Sequence, residues 1–150
     1  MTLVSSNLDK YILQNAKIYH PDTGIFKDGK LLIIDGKIKD TNYSGESSGL
    51  KSIDCSNYII SPGFLDLRTH LRDPGNEDIE SINSGSVSAL AGGYTRICML
   101  PDTNPCIDTL DSLFSIKHRI KKSPINIELI GSATKNLNGE ELSEIGLMSN

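Results

Sequence analysis

SPGFLDLRTHLRDPG, residues 61–75, opens the part of the chain in which short apolar runs alternate with helical patterns. A Pro-Gly pair interrupts what precedes it, and residues 63–67 form an apolar run between breakers, which is typical of a buried strand. A helix is predicted over residues 78–91, where apolar residues keep a rough helical spacing and Gly92-Gly93 supplies a stop.

The rest of the chain repeats this alternation. Residues 94–100 and 125–130 are two further apolar runs, which predict a second and a third buried strand. Asp108 is placed to cap a helix that Pro124 ends, and the last turn of that helix is basic, where the helix dipole is negative. A third helix is predicted to begin at residue 140 and run to residue 148. Strands that alternate with helices imply a parallel sheet with right-handed crossovers, either a barrel or an open doubly wound sheet.

Both architectures place ligands at the same edge of the sheet. The carboxyl ends of parallel strands, and the loops that follow them, face the ligand site. In this chain those loops are residues 68–75, 101–106 and 132–138. Neither GxGxxG nor a Walker sequence occurs, so a phosphate-cradling loop is not expected.

The amino-terminal part has a different character. Strands are predicted over residues 11–19 and 52–60. Between them, two apolar stretches flank Asp35-Gly36, a dipeptide that favours a two-residue hairpin turn because both central positions adopt positive φ. We therefore divide the chain into a small β-rich module, residues 1–60, and an α/β part, residues 61–150.

Composition excludes several classes of protein. The formal net charge of −4 disfavours nucleic acid as a partner, because phosphate binding needs a concentrated basic surface. No apolar run approaches the ~20 residues that cross a bilayer, so a membrane is not expected either. Three cysteines without a CxxC pair indicate reduced thiols and a cytoplasmic protein, with Cys98 in the core and Cys106 in an exposed loop.

Asp66, Arg68 and His70 are the first candidates for chemistry. Side chains alternate along a strand, so these three are expected on one face. Two cations and an acid at a strand's carboxyl end are costly unless they pair with one another or bind something. An Asp66–Arg68 ion pair beside a hydrogen-bonded core histidine is the alternative that needs no ligand.

Three motifs resemble those of dihydroorotase, a family of metal-dependent amidohydrolases. They are residues 61–75, Ala-Gly-Gly-Tyr-Thr-Arg at 91–96 and Met-Leu-Pro-Asp-Thr-Asn-Pro at 99–105, and residues 131–144 are similar to the bacterial branch of the family. The resemblance implies an α/β fold: the start of a (β/α)8 TIM-type barrel, about three βα units long, preceded by a small β module.

The resemblance also implies roles for individual residues. In the family, the first barrel strand ends in His-x-His-x-Arg, whose histidines bind zinc and whose arginine holds the carboxylate of dihydroorotate. His70 matches the second histidine and is the implied metal ligand, and Arg72 matches the substrate arginine. A guanidinium suits that role because it binds a carboxylate through two parallel hydrogen bonds. The remaining zinc ligands and the catalytic aspartate would lie beyond Asn150, so no catalytic residue is expected within this chain.

Two positions depart from the family pattern. Arg68 stands where the first histidine is expected, and a guanidinium offers donors only, so it cannot ligate zinc. Asp102 stands at the substrate-binding asparagine, and an ionised aspartate repels a carboxylate substrate. Asp102 is expected either to pair with Arg68 or Arg72 or to act as a turn residue after Pro101. We expect this degenerate motif to bind zinc weakly.

Two functions follow from the resemblance. One is a dihydroorotase-like cyclic amidohydrolase of pyrimidine biosynthesis, which uses zinc to interconvert N-carbamoyl-aspartate and dihydroorotate and of which this chain is an amino-terminal fragment. The other is a non-catalytic dihydroorotase-like subunit that scaffolds an aspartate carbamoyltransferase. A whole barrel needs about 200 residues or more, and three βα units leave strand edges open, so a homo-oligomer or another partner is expected.

Overall fold

The computed structural model describes residues 10–149. The chain divides into two compact units between Pro62 and Gly63. No helix within the described residues is both long and apolar enough to cross a membrane.

The described part of the first unit is a five-stranded sheet. Its strands are β1 (Lys10–His20), β2 (Ile25–Ile34), β3 (Lys37–Asp40), β4 (Lys51–Asp54) and β5 (Ile59–Ile60). β2 pairs antiparallel with β1 and β3, whereas β4 and β5 both pair parallel with β1. The core of this unit is formed by Ala16, Ile18 and Leu31.

The hairpin turn predicted in this unit is confirmed. Asp35 and Gly36 join β2 to β3 with φ angles of 49° and 70°, the left-handed region that an Asp-Gly turn uses. The single strand predicted over residues 52–60 is wrong. β4 and β5 are separate because the chain turns between them, where Asn57 adopts a φ of 73°.

The second unit alternates strands and helices. Its main elements are β6 (Phe64–Thr69), α1 (Ile82–Ala91), β7 (Tyr94–Met99), α2 (Leu110–Arg119), β8 (Asn126–Leu129) and α3 (Ile145–Met148). β7 pairs parallel with both β6 and β8, so the sheet order is β6-β7-β8. A 3-10 turn, Ile120–Lys122, extends α2.

The core of the second unit lies between this sheet and the first two helices. Ile97 and Met99 of β7 and Ile127 of β8 form one buried cluster with Ile82 of α1 and Ile116 of α2. Because side chains alternate along a strand, the intervening residues of β7 and β8 lie on the opposite face of the sheet.

The predicted starts of the first two helices need correction. α1 begins at Ile82 and not near residue 78, because Ser81 caps it in a reciprocal hydrogen-bonded box with Ser84. Thr109 caps α2 in the same way, with Ser112 as its partner. Asp108 is therefore not the cap, and its Oδ2 accepts instead the backbone N–H of Asn136, at 2.8 Å.

The third helix is also shorter than predicted. α3 is a single turn, Ile145–Met148, because residues 134 and 142 form an antiparallel bridge where the helix was expected to start. Glu144 precedes the turn, and its carboxylate accepts the backbone N–H of Leu110 at 2.9 Å. This acid therefore links the start of α2 to the segment before α3.

Candidate functional site

The loops that follow β6 and β7 meet, as predicted. The backbone N–H of Leu100 donates to the Thr69 carbonyl at 3.0 Å, and that of Asn104 donates to the Pro74 carbonyl at 2.9 Å. Gly75 lies so close to Asn104 that a Cβ on it would be 2.6 Å from the Asn104 Cβ. The third loop joins through Ser132, whose N–H donates to the Ile107 carbonyl at 2.7 Å.

Asp102 is the centre of a three-residue cluster at this edge. Its Oδ2 lies 2.6 Å from Nδ1 of His70 and accepts from Nη1 of Arg72 at 3.3 Å. A carboxylate only accepts hydrogen bonds, so Nδ1 of His70 carries the proton in this contact. The side chains are 47% exposed for His70, 38% for Arg72 and 26% for Asp102. The site is therefore an open polar surface and not a sealed cavity.

Arg68 and Arg72 were the two expected partners of Asp102, and the structure shows which of them pairs with it. Asp102 pairs with Arg72, and it also pairs with His70, a contact that sequence reasoning did not propose. No ion pair involves the exposed Arg68 guanidinium among residues 10–149. The expected ion pair between Asp66 and Arg68 is therefore wrong, and Asp66 Oδ1 accepts instead the backbone N–H of Arg68 at 2.8 Å. His70 is hydrogen-bonded, but it is exposed and not a core histidine.

The metal that the sequence motif implies does not fit these residues. No group of three or more His, Cys, Asp or Glu side chains in the described part of the chain could hold a metal ion. His70 contacts Asp102 through Nδ1 and keeps Nε2 available, but the neighbouring Arg68 and Arg72 add positive charge that repels a cation. The role of His70 as a metal ligand therefore stays a prediction.

Asp73 and Arg119 form an ion pair beside the site that sequence reasoning missed. Nη1 of Arg119 donates to Asp73 Oδ1 at 2.7 Å, although 46 positions separate the two residues. Asp73 lies within the motif at residues 61–75, directly after Arg72. That position beside a predicted substrate-binding residue is the sequence signal that could have identified it. Nothing in the local sequence around Arg119 indicates its partner, because the contact depends on how α2 packs.

Cys106 is buried and not exposed as predicted. It is 7% exposed, and burial, followed by the nearby Asp108 carboxylate, raises the pKa of its thiol. Cys55 and Cys98 are partly buried, and all three cysteines are free thiols.

Lys135 of the third loop pairs with Glu141, whose hydrogen bond and charge raise the pKa of that lysine.

Comparison with known proteins identifies relatives of this chain. A family model described as dihydro-orotase-like matches residues 57–149. A dihydroorotase of Elusimicrobium minutum is 40% identical over 135 residues, which are 89% of this chain and 31% of that protein. A dihydroorotase of Caldicellulosiruptor saccharolyticus is 42% identical over 140 residues, 91% of this chain and 33% of the relative. The chain thus spans about a third of the length of the curated relatives it matches.

Solved structures share the fold. An L-hydantoinase (dihydropyrimidinase) from Arthrobacter aurescens superposes with a TM-score of 0.71 at 23% identity, over 83% of this chain and 28% of that one. A D-hydantoinase gives a TM-score of 0.63 at 28% identity, over 80% of this chain and 26% of that one. The predicted fold class is confirmed: the chain has the α/β architecture of the start of an amidohydrolase barrel, with a β module before it.

Proposed function

Because the chain belongs to the dihydro-orotase-like family, we propose that it supplies the carboxylate-binding part of a dihydroorotase-like cyclic amidohydrolase. The substrate pair is dihydroorotate and N-carbamoyl-aspartate, and the reaction opens and closes a cyclic amide. Arg72 binds a substrate carboxylate. We expect the catalytic aspartate, and the metal ligands other than His70, outside the described residues.

The observation that carries this proposal is the position of Arg72. Its side chain lies at the carboxyl ends of two parallel strands, where a barrel of this kind binds its ligand. The guanidinium is 38% exposed, so an anion has access to it. Its only described ion pair is a single contact of 3.3 Å to Asp102, which leaves most of its donors for a carboxylate.

A ligand titration tests the proposal. We expect N-carbamoyl-L-aspartate to bind the purified chain and to shift the backbone amide signals of residues 70–76 and 101–105 in NMR spectra. Arg72→Gln should weaken binding by about tenfold or more, because a charge-assisted contact is lost. Arg96→Gln is the matched control, since Arg96 pairs with Glu128 in the same unit and its side chain is 52% exposed. Equal affinity for all three proteins would exclude Arg72 as the binding group.

A second function is favoured by the charge at position 68. A chain that carries the exposed Arg68 in place of a zinc ligand fits a non-catalytic subunit that scaffolds an aspartate carbamoyltransferase. Zinc content, turnover and complex formation, measured on the longest protein that contains this chain, distinguish the two functions. Bound zinc together with dihydroorotate turnover supports the enzyme. The absence of both zinc and turnover, together with a stable complex with aspartate carbamoyltransferase, supports the scaffold.

A further inference from the structure

The carboxylate of Asp73 uses both of its oxygens. The residue directly follows Arg72, and its side chain is only 12% exposed. A carboxylate at such a position is costly unless hydrogen bonds replace the lost water. Oδ1 accepts from Nη1 of Arg119 at 2.7 Å, and Oδ2 accepts the backbone N–H of Ile82 at 3.1 Å. Asp73 therefore joins the loop after β6 to the last turn of α2 and to the first residue of α1.

Arg119 holds the same loop at a second point. Its Nη1 lies 3.7 Å from Oε1 of Glu77, four residues beyond Asp73. The Arg119 side chain is 46% exposed, whereas the Asp73 side chain is nearly covered, so the guanidinium lies on the solvent side of the carboxylate. One guanidinium on a helix thus contacts two acids of one loop.

The residues on both sides of Arg72 are anchored. Leu71 is 1% exposed and belongs to the core of the second unit. It lies so close to α1 that a Cβ on Gly85 would clash with its Cδ2. After Asp73, the Pro74 carbonyl accepts the N–H of Asn104. Arg72 therefore extends to solvent from a backbone position that Leu71 and Asp73 define.

We propose that Asp73 and Arg119 are positioning residues that hold the Arg72 guanidinium at the ends of β6 and β7 for binding a carboxylate. This inference rests on the proposed function, since it takes Arg72 as the carboxylate-binding group. Neither positioning residue contacts the ligand. Each acts through the backbone of the loop, and Arg119 does so from another element of the fold.

The test measures hydrogen exchange in the loop and ligand affinity in the same purified chain. In Arg119→Met, hydrogen exchange of residues 72–81 should accelerate by roughly tenfold, and the affinity for N-carbamoyl-L-aspartate should fall. Arg119→Lys keeps the charge and should rescue part of both properties. Arg96→Met is the matched control, because it removes a similarly exposed arginine from the ion pair with Glu128; it should change neither.

Three outcomes overturn the inference. One is an Arg119→Met chain with unchanged exchange and affinity. Another is hydrogen exchange that accelerates in β7 and β8 as much as in the loop, in both Asp73→Asn and Arg119→Met. The pair would then stabilise the whole unit and not the loop in particular. The third is a loop that loosens while ligand affinity stays the same, with Arg72→Gln weakening binding as expected. If Arg72→Gln itself has no effect, the proposed function fails, and the exchange data still report on the pair.

Discussion

Nδ1 of His70 lies 2.6 Å from Oδ2 of Asp102, so a side chain at the end of β6 is tied to the loop after β7. The same oxygen accepts from Arg72, so one acid contacts both an imidazole and a guanidinium. A substrate carboxylate that approaches Arg72 meets a negative charge already in place. The site is consequently organised around an internal ion pair.

Replacing that acid should change binding and stability in opposite directions. In Asp102→Asn, the negative charge beside Arg72 is removed, and we expect N-carbamoyl-L-aspartate to bind about tenfold more tightly. The weaker hydrogen bond to His70 should lower the free energy of unfolding by roughly 1 kcal/mol. Calorimetric titration and urea unfolding measure the two effects. Asp111→Asn is the control, since Asp111 lies on the first turn of α2; weaker binding in Asp102→Asn would contradict this account.

A second prediction concerns zinc. Arg68 offers no lone pair, and Arg68 and Arg72 place positive charge near His70, so the purified chain should not retain Zn²⁺ through dialysis against a weak chelator. The substitution Arg68→His supplies a second imidazole and removes one positive charge from beside His70. It should increase zinc retention measurably.

The control for the zinc experiment is Arg96→His, which adds a histidine at another exposed arginine of the same unit. It should not increase retention. If the unmodified chain keeps one zinc ion per molecule, and loses it in His70→Ala, the site binds metal despite Arg68.

Cys106 gives a third prediction, on the pH dependence of stability. Burial raises the pKa of this thiol above its ordinary value of 9.0 in the folded chain. The folded state thus keeps its proton where the unfolded state releases it. The stability due to Cys106 is present below pH 9 and is lost as the pH rises through the folded pKa. Between pH 8 and 10.5, the melting temperature should fall more steeply for the natural chain than for Cys106→Ala.

The same burial should protect the thiol from alkylation. With iodoacetamide at pH 8, mass spectrometry should find Cys55 and Cys98 modified before Cys106, because a buried thiol is both less ionised and less accessible. In urea the three rates should converge. Early modification of Cys106 in the folded chain would show that the loop after β7 opens readily.

Local sequence patterns predicted the strands of the second unit well. β7 and β8 lie within their predicted runs, whereas β6 continues two residues beyond the run predicted at residues 63–67. The loops that carry Arg72 and Asp102 follow from the direction of parallel strands. Helix starts were less predictable. Asp108 and Thr109 are both residue types that cap helices well. Thr109 is the cap because the Asp108 carboxylate accepts instead the backbone N–H of Asn136, which is distant in sequence.

The supporting contacts of the site were not predictable from sequence. Asp102 had two arginines within reach of its loop, and only the folded geometry selects Arg72 and adds His70. Arg119 meets Asp73 because α2 returns alongside the loop after β6, which is a consequence of packing in three dimensions. Spacing along the chain carries no information about a pair of this kind.

The fifth prediction tests the core of the second unit. Ile116 and Phe114 both lie on α2, but Ile116 is 1% exposed within the core of the second unit, whereas Phe114 is 57% exposed. Ile116→Ala should lower the free energy of unfolding by about 3 kcal/mol, because it leaves a cavity between α2 and the sheet. Phe114→Ala should cost less than about 1 kcal/mol, since it removes mainly a solvent-exposed ring with Lys117 above it. Both changes introduce the same residue into the same helix, so helix propensity contributes little to the difference. Urea unfolding followed by circular dichroism measures both, and a larger loss for Phe114→Ala would mean that another surface covers this face of α2.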